Sequence, residues 1–157
     1  MRMTLPEIMA ATQAKGDIRA FAGVEVTAVE SDSRAAAPGM LFCCLPGTRA
    51  DGHDFAAQAV NKGAAAVLAV RELPELEGRA PVLVVADVLA AMGLLARHWR
   101  RRVRPMVAAL SGSAGKTTAK EMLASIASLL GPSIKNPGNF NNQLGLPLSM
   151  LKAEETD

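Results

Sequence analysis

The stretch that decides the fold is residues 106–118, with the sequence MVAALSGSAGKTT. Its first five residues are apolar and predict a buried strand over 106–110, and the glycines that follow leave the backbone free to curl. Apolar residues at helical spacing come after the lysine and predict a helix over 116–130. A strand, a glycine-rich turn and a helix N-terminus, in that order, form a loop whose amide groups can hold phosphate oxygens.

In such a loop the lysine reaches the outer phosphates of a nucleotide and a hydroxyl ligates Mg²⁺. We therefore assign Lys116 to the β- and γ-phosphates and Thr117 to the metal. Leu110 stands where the general pattern G-x-x-x-x-G-K-[ST] has its first glycine, so the match is incomplete. The alternative is a tight turn capped by glycines. The predicted phosphate-binding residues are Gly112, Ser113, Ala114, Gly115, Lys116, Thr117 and Thr118.

The composition favours helices packed on a sheet. Half of the 157 residues are apolar but only 3% are aromatic, so small aliphatic side chains must fill the core, which suits an α/β fold better than a β-sandwich. A formal charge of +2 is too small to indicate a nucleic-acid partner. The basic run 97–104 predicts a solvated helix end or domain junction, with a phosphate or nucleic-acid patch as the alternative.

The N-terminal residues contain charges that interrupt every apolar stretch, so we expect neither a signal peptide nor insertion into a membrane. Cys43 and Cys44 are adjacent in an apolar run and would point to opposite faces of a strand, which predicts buried thiols rather than a disulfide framework. A reducing, cytoplasmic location follows.

Local signals place several elements along the chain. A capping box at Thr4 predicts a helix over 5–13, and Asp87 predicts the cap of a helix reaching about residue 101. Asp54 is expected to cap a helix over 55–62. Strands are predicted at 24–29, 40–45, 65–70 and 82–85. Pro105 marks a boundary, so the predicted domains are residues 1–103 and 104–157.

Three polar segments could carry function. Residues 31–34, SDSR, follow a predicted strand, and Arg34 could grip a carboxylate or phosphate at two points, although a simple turn explains the segment equally well. Asp51 and His53 lie in a second loop, where a ligand-binding loop is favoured over a metal site because no third metal ligand is near. The asparagine-rich stretch 136–147 could either bind the polar edges of a ligand or form a turn.

Taken together, these segments resemble the Mur ligases. SDSR, PGMLFCCLPG, TRADGHDF, KGAAAV, GSAGKTT with KEML, and NPGNFNNQLGLPLSML occur in that family's order and approximate spacing across residues 4–151. NFNNQLGLP favours the branch that adds D-alanyl-D-alanine to UDP-MurNAc-tripeptide. The branch that adds a single amino acid shares the SDSR and DGHDF loops and is the alternative.

The resemblance implies a small N-terminal α/β domain that binds the UDP-sugar, followed by the start of a P-loop ATPase domain. It implies that ATP and Mg²⁺ activate the substrate carboxylate as an acyl phosphate, which the dipeptide amine attacks. By matching motif, the residues it assigns to the UDP-sugar substrate are Asp32, Ser33, Arg34, Arg49, Asp51, His53 and Asn141. It assigns residues 112–118 to ATP, Thr117 to the metal, and Lys116, Asn139 and Asn142 to the reaction centre.

The chain ends at Asp157, soon after the phosphate loop, so we expect an N-terminal fragment that does not ligate by itself, from an enzyme that acts as a monomer. Ala114 and Ala119 depart from the family's usual residues, which bears on affinity and not on the reaction class. The competing interpretations are a stand-alone UDP-sugar-binding module, an unrelated P-loop kinase and a folylpolyglutamate synthase.

Overall fold

A parallel sheet forms the centre of the protein, as seen in a computed structural model that describes residues 1–47, 50–136 and 143–154. Four strands lie in the order β3–β4–β5–β6, and every neighbouring pair is parallel. They are β3 (Ala28–Glu30), β4 (Met40–Cys43), β5 (Ala66–Ala69) and β6 (Val82–Val84). Two short strands, β1 (Met3–Thr4) and β2 (Glu25–Val26), pair antiparallel beside it. The predicted α/β fold class is confirmed.

Two of the helices begin where their predicted caps place them. α1 (Leu5–Thr12) starts at a complete capping box, in which the Thr4 and Glu7 side chains each accept from the other's backbone amide. α3 (Val88–Val103) starts at Asp87, whose carboxylate accepts from Ala90 N at 2.9 Å. The remaining helices are α2 (Ala56–Asn61), α4 (Lys116–Ala127) and α5 (Gly145–Met150).

The sheet buries apolar side chains on both faces. Along β4, Leu41 and Cys43 pack in one core with α1 and α3, while Phe42 and Cys44 pack in a second core with α2. This alternation follows from the two-residue repeat of a strand. The prediction that the two cysteines are buried and point to opposite faces is confirmed, and burial raises the pKa of the Cys44 thiol to about 12.

The end of the described chain returns to the first core. Helix α5 packs against α3, and Leu151 is buried with the residues of that core. The indole of Trp99 is 1% exposed, and its Nε1–H donates to Ala153 O at 2.8 Å. Arg102 lies over the same ring, 5.3 Å from its centroid. The long helix α3 therefore joins the sheet to the C-terminal residues 143–154.

Two predicted strands differ from the structure. The predicted strand 24–29 is two strands, β2 and β3, because the Thr27 amide turns away to bond Gly39 O at 2.8 Å. The predicted strand 106–110 is wrong: it has no strand pairing, and Met106 is 99% exposed. A strand needs a neighbour for its backbone groups, and no segment within the described ranges provides one there. The helix after it is present, with Met122 and Ile126 on an exposed apolar face.

Candidate functional site

The two loops that were predicted to bind substrate leave the same edge of the sheet. Since β3, β4 and β5 are parallel, the loops beginning at Ser31, Cys44 and Val70 all start at the carboxyl ends of these strands. In parallel α/β sheets this edge is where ligands bind. The topology therefore brings the SDSR and DGHDF segments to one side of the domain.

The first loop holds an ion pair between its own residues. Arg34 donates through Nε to Asp32 Oδ1 at 2.9 Å and through Nη2 to Asp32 Oδ2 at 2.7 Å. Hydrogen bonds from the Arg34 side chain and amide lower the pKa of Asp32 to about 2. The Arg34 side chain is 85% exposed, and its Nη1 has no hydrogen-bond partner among the residues the structure describes. It can therefore meet an anion from solvent.

Helix α2 fixes the backbone of this loop. Ser33 is buried and its hydroxyl donates to Gln58 Oε1 at 2.7 Å. Lys62 donates to the carbonyls of Ser33 and Arg34 at 3.0 and 2.9 Å. Sequence analysis missed both Gln58 and Lys62, because their partners lie 25 or more residues earlier in the chain.

In the second loop an Asp51–His53 pair replaces the predicted cap. Asp51 Oδ1 accepts from the His53 amide at 3.0 Å and starts a 3₁₀ turn, Gly52–Phe55, so the prediction that Asp54 caps a helix is wrong. His53 Nδ1 lies 2.5 Å from the same oxygen, and His53 Nε2 accepts from the Val70 amide at 3.1 Å. Arg71 lies 3.5 Å from Asp51 Oδ2.

Close backbone approach explains the glycine in DGHDF. Gly52 N donates to Leu45 O at 2.9 Å, and a Cβ at Gly52 would lie 2.6 Å from Leu45 N. No other residue fits without moving the backbone. Gly52 therefore lies directly against Leu45, just beyond the end of β4. Thr48 and the predicted site residue Arg49 lie outside the described residues.

The predicted phosphate loop is open to solvent. Gly115 precedes α4 with a φ of 76°, a left-handed conformation that favours glycine, and Lys116 is the first residue of the helix. The Lys116 ammonium contacts Gly112 O within the loop. Ser113, Ala114, Thr117 and Thr118 are all exposed residues.

The asparagine-rich stretch lies mostly outside the description. The predicted residues Asn139, Asn141 and Asn142 are not among the described ones. Immediately before them, Lys120 of α4 donates to Asn136 O at 2.9 Å, which holds the start of the stretch beside the phosphate-loop helix.

Two general features of residues 1–47, 50–136 and 143–154 bear on function. No cluster of three or more His, Cys, Asp or Glu side chains within these ranges could hold a metal ion by itself. No helix within them is both long and apolar enough to cross a lipid bilayer.

Two family models match the chain in succession. One, described as Mur ligase family, catalytic domain, matches residues 25–100. The other, described as Mur ligase middle domain, matches residues 110–157. Between them they cover both candidate loops and the phosphate loop.

Curated relatives carry one common name, UDP-N-acetylmuramoyl-tripeptide–D-alanyl-D-alanine ligase. The Escherichia coli protein is 44% identical over 131 residues, which is 83% of this chain and 28% of that protein. The Haemophilus influenzae protein is 38% identical over 136 residues, which is 84% of this chain and 29% of that protein. The Bacillus subtilis protein is 39% identical over 127 residues, with 81% and 28% covered. The chain thus spans less than a third of the length of these relatives.

Solved structures agree with the sequence matches. A crystal structure of MurF from Acinetobacter baumannii superposes with a TM-score of 0.89 at 36% identity, covering 99% of this chain and 34% of that one. MurF ligase from Thermotoga maritima, solved in complex with ADP, superposes with a TM-score of 0.71 at 34% identity. The superposition covers 83% of this chain and 30% of that one. Sequence, family models and fold agree, and the chain belongs to the Mur ligase family.

Proposed function

We propose that this chain supplies the UDP-sugar site and the phosphate loop of an ATP-dependent ligase that adds D-alanyl-D-alanine to UDP-MurNAc-tripeptide. The product would be a precursor of peptidoglycan. The observation that carries the proposal is that the SDSR and DGHDF loops leave the same carboxyl edge of a parallel sheet, in a chain whose relatives bear that ligase name. The proposed domains are residues 1–103 for the UDP-sugar and 104–157 for the start of the ATP-binding domain.

The substrate site would use both loops. The exposed guanidinium of Arg34 suits the diphosphate, because arginine can hold an anion at two points. The Asp51 carboxylate, kept charged by hydrogen bonds from His53 that lower its pKa, suits hydroxyl or amide donors of the sugar nucleotide. The remaining residues proposed for this site are Asp32, Ser33, Arg49, His53 and Asn141.

The phosphate loop, residues 112–118, would hold ATP. Bound there, ATP supplies the phosphoryl group that activates the substrate carboxylate. Lys116 would offset charge on that group together with the N-terminus of α4, and Asn139 and Asn142 would face the reacting atoms. Thr117 offers one exposed hydroxyl to Mg²⁺, which fits an ion that takes few protein ligands and fills its shell with water and phosphate oxygens.

Location and partners follow from the same proposal. Peptidoglycan precursors of this kind carry a nucleotide, and we therefore propose a cytoplasmic enzyme. We also propose that this enzyme works as a monomer. Its partners would be UDP-MurNAc-tripeptide and D-alanyl-D-alanine, without nucleic acid and without insertion into a membrane.

Calorimetry of the 157-residue chain tests the proposal. UDP-MurNAc-tripeptide should bind saturably at one site, whereas GDP-mannose, a nucleotide sugar with the wrong base, should not. We expect no ligation by this chain alone, because the phosphate loop is preceded by an unpaired, exposed segment. Failure of the UDP substrate to bind would contradict the proposed site, and phosphate release that depends on D-alanyl-D-alanine would contradict the expected inactivity.

The same titrations address the main alternative, a stand-alone module that binds a UDP-sugar. The observation that favours it is the contrast between the sheet, with its two buried cores, and the exposed apolar face of α4. A separate titration with ATP and Mg²⁺ distinguishes the two functions. Binding of the UDP substrate without any binding of ATP would favour the module.

A further inference from the structure

Both ring nitrogens of His53 have partners within the protein. The residue is 3% exposed, and each ring nitrogen has a partner: Asp51 Oδ1 lies 2.5 Å from Nδ1, and the Val70 amide lies 3.1 Å from Nε2. The Val70 amide can only donate, so Nε2 must be unprotonated and Nδ1 must carry the hydrogen. A ligand could not bond to this ring without breaking one of the two contacts.

Both partners of the ring belong to the candidate substrate edge. Asp51 lies in the second loop, and its Oδ2 faces Arg71 at 3.5 Å. The Asp51 side chain is 41% exposed, so the carboxylate remains accessible while its other oxygen is held by His53. Val70 directly follows β5. The ring therefore ties an accessible carboxylate to the rigid end of a central strand.

The backbone beside His53 is fixed at the same point. Gly52 N donates to Leu45 O, and the lack of a side chain at Gly52 allows this approach. Leu45 and Gly52 are thus joined by one backbone bond, and the orientation of the neighbouring Asp51 carboxylate depends on the imidazole.

We propose that His53 is a positioning residue for the UDP-sugar: it fixes the Asp51 carboxylate against the end of β5, without touching the ligand. The inference rests on the proposed function and deepens it. It separates His53 from Asp51, which the motif alone assigns to the same role.

Three substitutions separate the two contacts of the ring. His53→Asn keeps a donor near the Nδ1 position and loses the acceptor for Val70. His53→Gln keeps an acceptor near Nε2 and loses the donor to Asp51, and His53→Ala loses both. By calorimetry, His53→Ala should bind UDP-MurNAc-tripeptide at least about tenfold more weakly, and each amide variant about threefold more weakly. In an Asp51→Ala background, His53→Ala should add less than about a twofold loss.

Hydrogen exchange gives a readout that does not depend on the ligand. The Val70 amide should exchange at least about tenfold faster in His53→Asn than in the natural chain, and at nearly the natural rate in His53→Gln. His98→Ala, at the other histidine of the chain, should change neither affinity nor Val70 exchange. Circular dichroism melts place every titration well below the unfolding transition, so that lost binding is not lost folding.

Each of these measurements has a result that would contradict the positioning role of His53 or the proposed function. Unchanged affinity in His53→Ala, unchanged Val70 exchange in His53→Asn, or an undiminished loss in the Asp51→Ala background would overturn the inference while leaving the UDP-sugar site intact. Absence of binding by the natural chain would overturn the proposed function, and the positioning role with it.

Discussion

Replacing Trp99 with alanine is expected to lower the free energy of unfolding by about 3–5 kcal/mol, the usual cost of deleting a buried aromatic side chain. The indole is 1% exposed in the core between the sheet and α3. Its loss also removes the hydrogen bond to Ala153 O and the ring beneath Arg102. Urea denaturation followed by far-ultraviolet circular dichroism measures the change, since the chain's one tryptophan is no longer present to fluoresce.

Two controls separate packing from the hydrogen bond. Trp99→Phe keeps most of the burial and loses the bond to Ala153, so it should lose much less stability, including about 1 kcal/mol for that bond. Leu94→Ala removes an exposed side chain from the same helix and should change stability by no more than about 0.5 kcal/mol. A loss below about 1 kcal/mol in Trp99→Ala would contradict the described docking of residues 143–154 on α3.

Arg34→Ala is expected to weaken binding of UDP-MurNAc-tripeptide by about 10- to 100-fold. A charge-assisted hydrogen bond contributes about 1.5–3 kcal/mol, and each 1.4 kcal/mol is about a factor of ten. The guanidinium is available because Asp32 occupies only its Nε and Nη2. Calorimetry measures the affinity, and a change smaller than threefold would remove Arg34 from the proposed site.

The chain contains a matched control for this substitution. Arg19 forms the same kind of ion pair with Asp17, two residues earlier, but it lies in a 3₁₀ turn before β2, outside the loops that follow β3, β4 and β5. Arg19→Ala should therefore leave the affinity unchanged. If both variants lose affinity equally, the effect is one of net charge and not of a site.

Arg34→Ala should also change the titration of Asp32. The pKa of this carboxyl is about 2 because Arg34 donates to it, so removing the donor should raise the pKa towards its ordinary value of 3.8. A carboxyl pKa that is lower in the folded state than in the unfolded state stabilises the fold at pH values above the ordinary pKa. This contribution is lost as the pH falls towards 2. Carboxyl-carbon NMR of Asp32, with Asp17 as the unchanged reference, follows the shift.

Local signals in the sequence predicted much of the fold. Thr4 and Asp87 cap helices α1 and α3, as predicted, because a cap is a contact between residues three positions apart. Strands β4, β5 and β6 were predicted because their residues form short apolar runs. The segment 106–110 has the same composition, yet it is not a strand, since pairing depends on a neighbour that composition does not reveal.

The chemistry of the site depends on longer-range contacts. Sequence analysis selected His53, but not its bond to Val70, which lies 17 residues further on. It assigned Ser33 to the substrate site without the bond to Gln58, 25 residues away. Such contacts form only when the crossover loops fold over the sheet. The sequence identified the residue types of the site, and the fold shows which of them hold others in place.

Amide NMR mapping of the 157-residue chain tests the central claim most directly. In the proposed function, the SDSR and DGHDF loops at the carboxyl edge of the sheet bind the UDP-sugar. On titration with UDP-MurNAc-tripeptide, amide signals of residues 31–34, 50–53 and 70–71 should shift together with one saturation curve, while those of Gly16 and Gly63, outside these loops, should not. Shifts confined to other parts of the chain, or no shifts at saturating ligand, would contradict the account.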